Sequence, residues 1–250
     1  MVNLLWTGGW DSTFRLLQLA QKGAEVQPHY IRDQHRESGK KELQVMNEIR
    51  QKVNQRFPNC IIRETEIINK SDIVINTNLE RSYQNLLIKA WVGPQYIYIA
   101  SYSQQHKIMC LELCLERMSH DRHVVMPCVE NTELNREGQR IISENVDKDI
   151  LYLFGQFSFP TLAFTKLDML NESKKHGVFD ILNMSWFCHR PLFGKPCGTC
   201  NPCMSTLKYG LNYRFNILAL LRNKTKKMLL SRPRLHMLLR KLRYGYSDYS

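Results

Sequence analysis

A bilayer-spanning segment is the first thing missing. No apolar run approaches the roughly 20 residues that a transmembrane helix needs. The chain also lacks a basic N-terminal segment followed by an apolar stretch, so no secretory signal is expected and the cytoplasm is the expected compartment. There is no Gly-Lys-Ser/Thr, which excludes the common ATPase phosphate loop. There is no Gly-x-Gly-x-x-Gly, which counts against a dinucleotide site. Internal repeats and low-complexity segments are absent, which excludes a solenoid or a disordered chain. Acid is scarce at one end: from Leu221 onward nine Lys or Arg face one acid, Asp248. That segment carries +8 of the net +12, so residues 1–220 are only mildly basic at +4. Charge alone therefore gives the body no nucleic-acid surface.

What is present starts at the N-terminus. Leu4-Leu5-Trp6-Thr7-Gly8-Gly9-Trp10-Asp11-Ser12-Thr13 reads as an apolar strand, a glycine turn and a helix start. Asp11, Ser12 and Thr13 are N-cap types, and Phe14, Leu16, Leu17 and Ala20 recur at helical spacing. Glycines let backbone approach a phosphate, first-turn N–H groups lack internal partners, and the helix dipole favours negative charge. Hydroxyls of Thr7, Ser12 and Thr13 add donors. Asp11 would repel a phosphate unless a divalent cation lay between them, which hints at magnesium. A tight strand–helix turn without a ligand remains the alternative, because the same residues are ordinary turn chemistry.

The order of elements indicates an α/β fold with a doubly wound parallel sheet. Strands are expected at residues 2–6, 26–31 and 60–62, with helices at 11–22 and 42–57 between them. Further on, spacing indicates a helix over 106–118, short strands at 124–129 and 150–154, and a polar loop from 130 leading into a helix. A helix over 79–91 is compatible with the pattern, residues 96–100 have β propensity, and a short helix is expected over 166–175. Ligands of open parallel sheets bind outside the carboxyl ends of the strands, where strand order reverses. The Gly8-Gly9 loop and the loops after Ile31 and Val129 would share that edge.

Four of the eight cysteines fall within sixteen residues: Cys188, Cys197, Cys200 and Cys203. Zinc takes four tetrahedral ligands and favours thiolate. Gly198 lets the Cys-x-x-Cys backbone fold round an ion, and Pro202 stiffens the next turn. Four protein ligands leave no open position, so the expected site is structural. His189 is a rival ligand; a redox pair and an iron–sulfur cluster are the other readings of the spacing. Cys60, Cys110, Cys114 and Cys128 read as small core residues.

Together these stretches resemble the N-type ATP pyrophosphatases, and within them the 7-cyano-7-deazaguanine synthase family. Thr7-Gly8-Gly9-Trp10-Asp11-Ser12-Thr13 resembles the family's Ser-Gly-Gly-x-Asp-Ser loop. Tyr30-Ile31-Arg32-Asp33-Gln34-His35-Arg36 with Glu42-Leu43, Thr165-Lys166 with Gly177, and Ser185-Trp186-Phe187-Cys188 with Cys197-Gly198-Thr199-Cys200-Asn201-Pro202-Cys203 resemble its other motifs. The resemblance covers about residues 1–210. It implies an adenine nucleotide α-hydrolase-like fold: an ATP-binding domain over 1–185, a zinc element over 186–215, and outside the family pattern a basic helical tail over 216–250. It also implies a helix where residues 96–100 have β propensity. The implied activity is ATP-dependent ligation: adenylation of a deazaguanine carboxylate, attack by ammonia, and a second activation that dehydrates the amide to a nitrile.

Thr7, Gly8, Gly9, Trp10, Asp11, Ser12 and Thr13 would hold ATP and magnesium, with Asp11, Ser12 and Lys166 catalytic. Without the resemblance, Lys166 would read as a solvated lysine at a helix start. Departures fall on the substrate side. Gly93-Pro94-Gln95-Tyr96 stands where the family has Pro-Gly-Arg-Asn. Glu130, Asn131 and Glu133 stand where it has an Asp and Tyr-Pro-Asp-Cys. A different carboxylate, or a nucleotide-binding module without turnover, are the competing expectations. The segment Arg234–Arg243 is basic and amphipathic. Docking on the body or on a second subunit is its default, with peripheral contact to an anionic membrane or nucleic acid as the alternative. A homodimer fits the default.

Overall fold

A computed structural model describes residues 1–89, 92–117 and 129–231. The chain divides into two compact units: Met1–His35 with Gly39–Trp186, and Arg36–Ser38 with Phe187–Ser250. The expected strand at 124–129 falls, apart from Val129, outside the described residues, as do Cys128 and the tail segment 234–243. Among the described residues no helix is long and apolar enough to cross a membrane.

The first unit is α/β, with a mostly parallel sheet. Its strands are β1 (Val2–Leu5), β2 (Glu25–Arg32), β3 (Ile61–Ile62), β4 (Glu66–Asn69), β5 (Leu111–Glu112), β6 (Thr132–Leu134), β7 (Arg140–Ile142) and β8 (Phe157–Ser158). They are ordered β3-β2-β1-β5-β8-β7-β6, with β4 also on β2. The pairings from β3 and β4 to β8 are parallel, while β7 and β6 extend the edge antiparallel. Strand order reverses at β1, which lies between β2 and β5.

Helices α1 (Trp10–Gln21), α2 (Gly39–Arg56), α3 (Thr77–Lys89), α4 (Gln95–Gln105), α5 (Lys148–Phe154), α6 (Lys166–Lys175) and α7 (Phe179–Leu182) belong to this unit. One group packs α1 with α6 and α7, and α2 with α7. A second packs α3, α4 and α5 together. The core of the second group gathers Leu79, Leu86, Ile97, Leu111, Leu153, Phe154 and Phe157. On α1 the apolar stripe Phe14, Leu16, Leu17, Leu19 and Ala20 is buried, as its spacing indicates.

One local device explains a break in the sheet. Pro28 sits inside β2 and has no N–H to give the neighbouring strand. Opposite it the third strand interrupts, leaving β3 and β4 as separate pieces. The Gln27 side chain fills the gap, its Nε2 donating to the Glu64 carbonyl at 2.8 Å.

Several expectations are corrected. Residues 106–118 are not a helix as far as the chain is described. α4 ends at Gln105, Lys107 and Cys110 turn the chain at φ 53°, and β5 follows. The alternation Leu111-Glu112-Leu113-Cys114-Leu115-Glu116 is the strand signal; Ile108 and Met109 beside it mimic helical spacing. Residues 150–154 are helical within α5, because the Asp147 side chain accepts the Asp149 N–H and caps it. The polar loop from 130 carries the β6–β7 hairpin, whose turn is closed by the Asn135 side chain and by Gly138 at φ 73°. Residues 96–100 are helical, against their β propensity. α1 starts at Trp10 with Gly9 as N-cap, so Asp11, Ser12 and Thr13 lie in its first turn.

The second unit contains the hairpin around Leu192–Lys195, helix α8 (Asn201–Lys208) and helix α9 (Ile217–Leu230). Phe187 and Phe215 pack edge to face at 5.3 Å between centroids.

Candidate functional site

The β1–α1 loop is rigidly seated. Gly8 has φ 66°, and a Cβ there would come 2.9 Å from Met46 Cγ on α2. Its carbonyl accepts the Trp186 N–H at 2.8 Å. Gly9 caps α1 with its carbonyl, accepting from Thr13 N–H at 3.0 Å. The first-turn N–H groups of α1 therefore point out of the carboxyl edge of the sheet, beside the place where strand order reverses.

The loop residues do not share one role. The Trp6 indole donates to Thr13 Oγ1 at 3.2 Å, and both residues are fully buried. Ser12 is buried, and its Oγ lies 3.5 Å from the Thr7 nitrogen. Trp10 is buried as well. Thr7, Gly9 and Asp11 stay partly exposed. A cavity of about 190 Å³ opens on them, walled by Trp10, Gln95, Tyr96 and the run Leu113-Cys114-Leu115 after β5.

Lys166 joins this loop. Its ammonium lies 2.9 Å from Asp11 Oδ1 and 3.1 Å from Glu116 Oε1. Thr165 places it, capping α6 in a reciprocal box with Asp168. Burial works against the charged form, but the two carboxylates outweigh it and hold the Lys166 pKa above the ordinary lysine value. Asp11 thus has a counter-ion within the chain. Sequence reading named Asp11 and Lys166 but missed Glu116. Its signal was the period-two alternation that carries β5 toward the sheet edge.

A buried ion pair fixes this geometry from beneath. Arg15 on α1 donates from Nε and Nη2 to both oxygens of Glu112 on β5, at 2.8 and 2.7 Å. Burial disfavours the guanidinium, yet Glu112 outweighs it and raises the Arg15 pKa. The bidentate fork sets α1 against β5, the two elements that bound the cavity. In the cavity wall, burial with Glu112 and Asp11 nearby pushes the Cys114 thiol well up. A protonated thiol is a polar wall rather than a nucleophile.

In the second unit the Sγ atoms of Cys188, Cys197, Cys200 and Cys203 lie within 4.8 Å of one another. Cys197 and Cys203 approach to 3.8 Å, and Cys200 and Cys188 to 4.0 Å. Four thiolates on one zinc at about 2.3 Å stand about 3.8 Å apart, so these residues fit a single tetrahedral ion. A polynuclear cluster would interpose its own sulfides and spread the ligands. None of the four forms a disulfide. Burial pushes the Cys197 thiol up, but donation from Thr199 and from the Cys200 N–H outweighs it and lowers its pKa, which favours a metal ligand.

Gly198 is indispensable to the knuckle. It has φ 81°, and a Cβ would stand 2.1 Å from the Ala219 carbonyl oxygen. α9 closes the knuckle from that side. Arg222 Nε donates to the Cys197 carbonyl at 2.9 Å, Asn223 Nδ2 to the Gly198 carbonyl at 2.8 Å, and Lys226 Nζ to the Thr199 carbonyl at 2.6 Å.

Comparison of the chain with models of known protein families and with curated proteins gives no match. The residues themselves therefore carry the functional reading.

Proposed function

We propose that the chain is an ATP-dependent ligase that activates a carboxylate by adenylation, on an adenine nucleotide α-hydrolase-like variant of its α/β fold. The supporting observation is the Asp11–Lys166–Glu116 cluster beside the glycine loop, where strand order reverses. On this reading Thr7, Gly8 and Gly9 with the first turn of α1 cradle the phosphates. Lys166 offers a mobile point charge to the charge that develops on phosphate. Asp11 and Glu116 supply hard oxygen ligands for magnesium once Lys166 turns to the nucleotide. The zinc of the four-cysteine knuckle is structural, and its reduced thiols suit the cytoplasm.

A carboxylate oxygen attacks the α-phosphorus, and the bond to pyrophosphate breaks. Ammonia then attacks the acyl carbon, AMP leaves and an amide forms. In the synthase family a second ATP activates the amide oxygen, and its loss with AMP leaves the nitrile. 7-Carboxy-7-deazaguanine is the first acid to test. A different acid is the second reading, because Gln95 and Tyr96, which stand where the family pattern departs, line the cavity. Pyrophosphate release from ATP, measured with a panel of acids and ammonia, separates the outcomes. Release with the deazaguanine acid supports the full reading. Release with another acid alone keeps the chemistry and changes the substrate. ATP binding without release for any acid makes the chain a nucleotide-binding module and refutes the ligase.

A further inference from the structure

The second unit is charged unlike the first. It holds 14 Lys and Arg against Glu37 and Asp248, a net +12, and the first unit holds 21 of each sign. Residues 187–231 contain no acid at all. The same unit carries a helix turned inside out. A helix in a globular unit buries its aliphatics and exposes its polar side. α9 buries Ala219 and Asn223, and leaves Ile217, Leu218, Leu221 and Met228 at 72%, 59%, 53% and 51% exposure. At about 3.6 residues per turn these four share one side, with Lys224 among them and Lys227 at the margin.

The inversion has a cause. Arg222, Asn223 and Lys226 reach the knuckle carbonyls of Cys197, Gly198 and Thr199, which fixes the polar side inward and the aliphatic stripe outward. Such a stripe needs a cover. A second copy would set +12 against +12, and residues 232–250 already supply five of those basic residues against one acid, so neither neutralises this unit. An anionic partner does. A nucleic acid would satisfy the charge but has no use for an aliphatic stripe; a lipid surface uses both.

We infer that α9 is a peripheral membrane contact, laying Ile217, Leu218, Leu221 and Met228 into the interface of an anionic bilayer while Lys224 and Lys227 meet its headgroups. This inference is independent of the nucleotide reading.

The test is sedimentation of the full, zinc-loaded chain with phosphatidylcholine vesicles, with and without roughly a third phosphatidylserine, near the physiological ~0.15 M salt. Partition into the anionic vesicles alone is expected. L218Q/L221Q/M228Q changes exposed positions only, and should lower that partition at least about a hundredfold, since each side chain is a full aliphatic burial. Lys224→Glu with Lys227→Glu should lower it at least tenfold. Zinc content and circular dichroism should match the parent in both variants. No binding by the parent, or binding untouched by the glutamines, overturns the inference. So does a dimer in analytical ultracentrifugation that the glutamine variant dissociates, or retention of single-stranded RNA that competes the vesicles off and ignores the glutamines.

Discussion

α1 and α9 are both amphipathic, and they face opposite ways. α1 buries Leu16 and Leu17 completely. α9 buries an alanine and an asparagine and leaves Leu218, Leu221 and Leu230 exposed. The difference reflects what holds each unit together. The first unit has enough apolar surface to fold by burial. The second gathers four thiols that fit one metal ion, with Arg222, Asn223 and Lys226 satisfying the loop around them.

The largest expected effect separates these two modes of stabilisation. Stripping zinc with a chelator, or Cys203→Ser, should unfold the second unit, since structural zinc contributes on the order of 10 kcal/mol. Calorimetry should show an early transition removed from the main one. A single transition indifferent to chelation would contradict the comparison. Next comes Arg15→Met, which leaves Glu112 buried at 3% exposure without its partner. A loss of about 3–5 kcal/mol in urea unfolding is expected. Third, Leu16→Ala should cost about 2–5 kcal/mol, whereas Leu221→Ala should stay within about 0.5 kcal/mol. Equal costs would mean that α9 is not inside out.

The smallest effect is a pH dependence of the first unit. His29 is buried among Asn3, Tyr102 and Glu66, with Nδ1 2.8 Å from Tyr102 Oη and 3.3 Å from Glu66. Burial lowers its pKa below the ordinary 6.5, although Glu66 pulls the other way. The unfolded chain then takes up the proton first as pH falls. The stability from a neutral His29 is present above the unfolded value of about 6.5 and is lost as pH drops through it toward the folded value. His29→Gln should flatten stability against pH in that window. An unchanged slope would assign the effect to other groups.

The two units were also unequally legible in the sequence. The cysteine knuckle could be read because all four ligands lie within sixteen residues and the chemistry is local. The glycine loop, the Thr165–Lys166 helix start and the α/β order were legible for the same reason. Glu116 was not, because it depends on recognising β5, whose alternation is preceded by Ile108 and Met109 at a spacing that mimics a helix. The Asp11–Lys166–Glu116 cluster joins three separate segments, Asp11 and Lys166 being 155 residues apart, and only the strand order brings them together. The orientation of α9 was equally hidden: periodicity identifies an apolar stripe but says nothing of which way it faces.

The nucleotide reading rests on what the Gly8-Gly9 loop binds. Isothermal titration calorimetry of the zinc-loaded chain with ATP and magnesium is the most direct measurement. One site is expected, weakened at least about tenfold by Lys166→Met, in line with loss of a charge-assisted contact to phosphate. No heat from the parent chain with ATP, AMP or pyrophosphate, in material whose zinc content and fold are intact, would contradict it.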